Sequence, residues 1–191
     1  MEKIYRLISS TENDTGLYIE DYDQLDSNDD YSRLFEGSSV EAEFVQRFVL
    51  KAAGIPGTTD YLSNPLSWPI CSGRMGRLLA SICARDIQLV PLSVFLNSVP
   101  LEQYMAINIL NRIDCYDFTS GECRIGVSVT GQKYISAVYK WVLRANMIPD
   151  HISLFRVPIM DSVVFVKESA IDEIESAGMK GVAIVDDIVL V

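Results

Sequence analysis

The chain holds one histidine, His151, and any histidine-based chemistry must run through it. It follows Pro149 and Asp150 in a stretch that reads as a turn. No G-x-S-x-G elbow accompanies it, and no cysteine carries the flanks of a thiol-protease nucleophile. A triad also needs a nucleophile and an orienting acid placed around the imidazole, and nothing here specifies them. Two aspartate pairs could hold a metal or perform acid–base work: Asp114 with Asp117, and Asp186 with Asp187. Aspartates at such spacings more often cap turns by accepting backbone amides two residues on. Residues 72–77, Ser-Gly-Arg-Met-Gly-Arg, put two glycines and two arginines at a helix start, where amides and a guanidinium can hold an anion. They lack the Gly-Lys-Ser/Thr of a phosphate loop and the dinucleotide fingerprint. A helix with a polar outer face is the simpler reading. The four cysteines, Cys71, Cys83, Cys115 and Cys123, are spaced too widely for a zinc knuckle, and His151 extends none of them. They read as reduced thiols. A bridge between Cys115 and Cys123 is the alternative, and a cytosolic setting opposes it. The residue types thus point to no catalytic centre, no metal site and no cofactor.

Charge offers a different chemistry. Net charge is −10 at pH 7. Residues 1–43 hold 12 acidic and 3 basic residues, whereas residues 44–191 hold 14 and 13, so nearly all of the excess lies at the start. It peaks at Glu20, Asp21, Asp23, Asp26, Asp29 and Asp30, with Tyr22 and Tyr31 among them. Such a field repels nucleic acid and anionic membrane, and steers basic proteins toward itself. Tyrosines amid carboxylates can anchor what the charge attracts. These eight residues are the candidate partner-binding surface.

The elements that must position these residues follow from hydrophobic spacing. Residues 3–8 read as an opening strand. Residues 11–32 show no apolar period and read as an exposed loop, with a short strand around residues 17–19. Residues 39–53 read as a helix: Ser38 and Glu41 have capping-box spacing, and Val40, Phe44, Phe48 and Ala52 recur every four residues. Residues 72–84 form a second helix, with Met75, Leu78, Leu79, Ile82 and Cys83 along one face. Residues 87–95 read as a buried strand, and residues 103–110 and 134–144 as further strands. Short strands at 152–157 and 163–166 lead into a helix over 167–177 that Gly178 ends. Strands at 181–185 and 188–191 close the chain around Asp186 and Asp187. Residues 69–91 and 164–186 share a layout of apolar lead-in, helix, basic residue and strand. A common supersecondary unit explains that layout, and an ancient duplication is the alternative. The expected fold is α+β, with mixed or antiparallel sheets flanked by about three amphipathic helices, as one compact unit over residues 1–191. An acidic, loop-rich segment spans residues 9–37. No apolar run approaches the roughly 20 residues that cross a bilayer, and the N-terminus lacks a signal-peptide pattern. A cytoplasmic location is the expectation.

Residues 60–191 resemble a known family. The similarity is carried by Asp60-Tyr61-Leu62, by Pro69-Ile70-Cys71-Ser72 with Leu78-Leu79, by residues 87–92 and 104–110, and by Asp114 and Asp117. Its strongest piece is Leu154-Phe155-Arg156-Val157-Pro158, followed by residues 163–168 and 177–182. Together they resemble the bacterial immunity proteins of polymorphic toxin systems, of the type first catalogued as a domain of unknown function (DUF1629). The resemblance implies a stoichiometric inhibitor that binds a cognate secreted toxin or effector through that partner's C-terminal toxin domain, and is no enzyme. An acidic inhibitor suits a basic, nuclease-like toxin, since nucleases must grip phosphate. Two other classes are weighed against it: an enzyme using the anion site at residues 72–77, and a structural protein that self-associates into homo-oligomers.

Overall fold

The computed structural model describes residues 2–10, 16–25, 31–131 and 133–191. The clearest helical period becomes a helix, and its surroundings show why. Strand β5 (Ile70–Ser72) leads into α2 (Gly73–Ile82), which returns through β6 (Ile87–Pro91). Strand β9 (Tyr104–Ile109) lies antiparallel between β5 and β6, and β4 (Tyr61–Leu62) borders β5. The second half has the same wiring. Strand β13 (Val164–Lys167), helix α3 (Glu168–Ser176) and β14 (Val182–Val185) enclose β1 (Ile4–Ser9), with β12 (Leu154–Phe155) bordering β13.

Registers coincide as well as connections. Ala106 is opposite both Ile70 and Val90, and Arg6 is opposite both Phe165 and Val185. Ile87 faces Ile109 as Val182 faces Ser9. Two outer sheets complete the correspondence. In the first, β2 (Tyr18–Gln24) pairs antiparallel with β3 (Phe48–Ala53), which pairs parallel with β7 (Ser93–Leu96). In the second, β10 (Glu122–Val127) pairs antiparallel with β11 (Lys133–Leu143), which pairs parallel with β15 (Ile188–Leu190). Strand β8 (Val99–Leu101) is an extra hairpin partner of β7. The shared layout of residues 69–91 and 164–186 is therefore part of an internal repeat, which asks for more than a common supersecondary unit. Each repeat places its opening strand in the other's sheet: β1 sits between β13 and β14, and β9 between β5 and β6.

The core follows this plan. Helices α2 and α3 bury Met75, Leu79, Ala170, Ile171 and Ile174 in one cluster with Leu7, Ile107, Ile109, Val164 and Val166. Full burial of each large apolar side chain is worth about 1.5–3 kcal/mol. Two further clusters lie on the opposite faces of the inner sheets, one around Phe48, Trp68 and Ala106, the other around Trp141, Phe155 and Phe165. The result is an α+β fold with strands in excess over helix.

Three expectations are corrected. The helix over residues 39–53 is cut short: α1 spans only Ala42–Gln46, and residues 48–53 are β3 (Phe48–Ala53). A four-residue apolar spacing is one helical turn but also two strand steps, so Phe48, Leu50 and Ala52 equally describe a strand face. Lying between β2 and β7 gives that strand ladders on both edges, which outweighs local propensity. The capping box does not form either. Glu41 is the N-cap without a side-chain cap bond, and it pairs instead with Arg33 at 3.3 Å. Second, residues 87–95 make two strands in different sheets, β6 and β7. Asp186 and Asp187 mark the matching sheet change between β14 and β15, so the closing strands do not form a hairpin with each other. Third, much of the acidic loop is strand: β2 runs from Tyr18 to Gln24. Strands β1, β9, β11, β12, β13, β14 and β15 and the helices at α2 and α3 lie within a few residues of the expected spans, whereas β4, β5, β8 and β10 are strands that the spacing did not indicate.

Candidate interaction surface

Strand β2 forms one edge of its sheet, and its side chains alternate as a half-buried strand requires. Ile19 points into the core at 3% exposure. A bulge follows it, since the ladder passes from Ile19 to Asp21 while its partner advances by one residue, and Glu20 is the exposed extra residue. Beyond the bulge Asp21 and Asp23 share the outward face. Both take Lys51 of β3, at 3.4 and 2.7 Å. Asp21 is held below the usual carboxylate range by a hydrogen bond from the Tyr22 amide, then by Lys51. Lys51 is raised by its bond to Asp23 first, against a smaller desolvation effect, and then by Asp21. Two carboxylates against one ammonium leave this face negative at neutral pH.

The other predicted residues divide. Tyr22 leans inward, its ring 6.3 Å from that of Phe48. Tyr31 is exposed, while its carbonyl accepts the Trp68 indole N–H at 3.0 Å. Asp26, Asp29 and Asp30 lie outside the described residues. Glu20, Asp21 and Asp23 are therefore brought onto one strand edge, and Tyr22 serves the core beneath it.

The helix start at residues 72–77 already has its anion. The Asp60 carboxylate, 8% exposed, accepts the Ser72 hydroxyl at 2.6 Å, the Lys180 amide at 2.9 Å and Arg74 Nη1 at 3.4 Å. Ser72 Oγ in turn accepts the Met75 amide at 3.2 Å and so caps α2. Arg74 also donates to the Ala177 carbonyl at the end of α3. The Ser72 hydroxyl and the Arg74 guanidinium at this helix start thus hold an internal carboxylate, and the Lys180 amide on the same carboxylate ties α2 to the segment after α3. A shallow groove of about 300 Å³ adjoins it, bordered by Arg77, Glu102 and Lys180.

The remaining candidates take structural places. His151 is exposed in a turn. Asp117 accepts the Thr119 amide at 3.2 Å, the turn-capping role expected of it. Asp186 and Asp187 pair with Lys3 and Arg6. Among the described residues no group of three His, Cys, Asp or Glu side chains could hold a metal ion. No helix among them is long and apolar enough to cross a membrane. Cys71, Cys83, Cys115 and Cys123 are all free thiols, and burial pushes the first three up to about 12.

Asp86 and Arg156 are among the buried charges that sequence reasoning missed. Asp86, 3% exposed, accepts the Ser153 and Leu154 amides at 2.7 and 3.0 Å and the Asn111 side chain at 2.8 Å. Arg156 is fully buried, donates to the Asp161 carbonyl and stands 4.9 Å over the Phe35 ring. Desolvation lowers its pKa to about 10. Nothing in the local pattern marks either as buried, although Arg156 sits inside the strongest motif of the resemblance.

That motif belongs to a wider match. The family model of the Immunity protein family (Imm11) matches residues 6–186, nearly the whole chain. The chain belongs to the Imm11 immunity protein family. The family match reaches well N-terminal of residue 60, so β2 and β3 are part of the Imm11 fold as well as the family-like core expected over residues 60–191. No curated protein sequence matches the chain. Membership assigns it an immunity function and a cognate toxin as partner.

Proposed function

We propose that this Imm11 protein neutralises one cognate secreted bacterial toxin by direct, stoichiometric binding in the cytoplasm, without catalysis. Its acidic N-terminal surface covers the active site of a basic, nuclease-like toxin domain at the partner's C-terminus. The observation that carries this reading is the outward face of β2. Glu20, Asp21 and Asp23 lie exposed along a sheet edge, in the quarter of the chain that holds nearly all of its charge excess. A nuclease active site is electropositive because its substrate is a polyanion. Such a site and this face attract each other at long range, and steering of this kind raises association rates by roughly 10–1000-fold at low salt. The bulge at Glu20 keeps the edge from pairing indiscriminately with other strands.

The test uses the toxin domain encoded beside this gene, in catalytically inactive form. Charge reversal at Glu20, Asp21 and Asp23 together should slow association at least about tenfold at low salt, with the difference shrinking as salt is added. Stopped-flow fluorescence reads both. An unchanged association rate at low salt rules out this face as the docking surface.

A further inference from the structure

The two halves, residues 1–96 and 104–191, are joined by contacts that any copy of the same half could make. Strand β1 of the first half pairs with β13 and β14 of the second, and β9 of the second pairs with β5 and β6 of the first. Helices α2 and α3 share one core with Leu7 and Ile107. Around that core the Asp86 carboxylate accepts the Ser153 and Leu154 amides, the Lys180 amide donates to Asp60, and the Arg156 guanidinium stands over the Phe35 ring. Each of these contacts joins one half to the other. None needs the two halves to belong to one chain.

The covalent link between the halves is residues 97–103, and it contributes little to the core. Its strand β8 pairs with β7 at the outer edge of a sheet. Val99 and Pro100 are exposed, and Leu101 is half-buried against the Phe48 cluster. Pro100 suits an edge, since it has no amide to donate. The link is also strained. Among the described residues, four other than glycine have positive φ, and three of them lie here: Asn97 at +50°, Ser98 at +66° and Gln103 at +71°. In that region Cβ crowds the following carbonyl, and of these three only asparagine visits it readily. Asn97 and Ser98 turn the chain back after β7, and Gln103 turns it again into β9. An extended link frees all three. It gives up the β7–β8 ladder and the burial of Leu101, and nothing of either inner sheet or its helix.

We infer that this link is a hinge, and that the chain forms a closed dimer in which the first half of each copy completes the second half of the other. The partner is a second copy of this chain, and the interface is the one that joins the halves within the monomer. Reciprocal exchange of this kind is two-fold symmetric and leaves open no sheet edge of the inner sheets that the monomer closes. Concentration sets the balance. A short flexible link confers an effective concentration on the order of millimolar, so a second copy competes once it approaches that level. Strain in the link tilts the competition toward exchange. Each unit of the dimer retains its own β2 edge, so on the immunity reading one assembly takes two toxin domains. The exchange itself does not depend on that reading.

Light scattering after refolding of the full chain from urea tests it. Wild-type protein refolded at about 1 mM should give a dimer that persists on dilution, because reversion requires both units to open, and protein refolded at about 1 μM should be monomeric. Monomer alone at both concentrations overturns the inference. Asn97→Gly, Ser98→Gly and Gln103→Gly together relieve the link in its folded-back form, and should lower the dimer yield at least about tenfold. A yield equal to wild type assigns the dimer to ordinary surface contact and overturns the inference. Two full-length variants test the pairing of halves directly. Met75→Asp with Leu79→Asp disables the first half, and Ile171→Asp with Ile174→Asp disables the second, since all four side chains are buried. Refolded separately, each should lack the β-rich circular dichroism of the wild type. Refolded together at about 1 mM, they should recover it for about one unit in two, because each chain supplies one intact half. A mixture no more folded than its separate members overturns the inference.

Discussion

Single side chains in this protein are set apart by what surrounds them more than by type. Cys71, Cys83 and Cys115 are buried, and their thiols are pushed up to about 12, so the reactive thiolate is scarce at neutral pH. Cys123 is partly exposed. One thiol per chain should therefore react with Ellman's reagent in native protein, and four in denaturant; more than one fast native thiol would contradict this packing. Asp86 offers a sharper test. Its hydrogen bonds from Ser153 and Leu154 join the first half to the β12 segment of the second, and its bond from Asn111 joins it to the end of β9. Asp86→Ala leaves the Ser153 and Leu154 amides without their acceptor and takes one of two acceptors from the Asn111 side chain, and should cost about 3–5 kcal/mol by urea denaturation. Asp86→Asn keeps an acceptor and should cost less. Asp60 bridges the halves in the same way from the other side, through Lys180.

At the scale of elements, β3 is where local preference and tertiary pairing disagree. Phe48 is fully buried, with Trp68 at 4.9 Å and Phe44 at 5.6 Å in edge-on contact. Phe48→Ala should destabilise by about 3–5 kcal/mol, the usual range for deleting a core phenyl ring. The strand also depends on its end. Gly54 follows β3 with φ +99°, and a Cβ there would strike the Gly16 carbonyl. Gly54→Ala combines strain with a backbone clash, and should lower the melting temperature by more than the few degrees that about 1 kcal/mol produces. How far these elements could be read in advance depended on their spacing. The α2 face at Met75, Leu78, Leu79 and Ile82 fits only a helix, so its period was decisive. The spacing of Phe44, Phe48 and Ala52 fits two structures, and only β2 and β7 decide between them.

For the whole molecule, the exchange of opening strands makes each half incomplete without the other. Strand β1 is interior to the sheet of β12, β13 and β14, and β9 is interior to that of β4, β5 and β6. Deleting residues 1–10 should therefore unfold the C-terminal half, whose β13 and β14 pair with β1 across 157 to 179 residues of sequence, rather than fray one edge. Fragments 1–101 and 102–191 should each be unfolded alone and regain β-rich circular dichroism when mixed. We expect the intact protein to unfold in one cooperative transition by calorimetry. Independent folding of either fragment would show that the exchanged strands are dispensable.

Composition and local spacing by themselves determined the α+β class, helices α2 and α3, most strands, the concentration of charge in residues 1–43 and the resemblance to immunity proteins. These properties depend on neighbours within about one turn or one strand, or on counting. Tertiary structure alone decided that residues 48–53 are a strand, that Asp60 fills the anion site at α2, that Tyr22 faces inward, and that the two halves share one wiring. Each of these depends on a partner distant in sequence. A half-buried strand, a caged carboxylate and an exchanged strand gain their stability from ladders and hydrogen bonds that no local window contains.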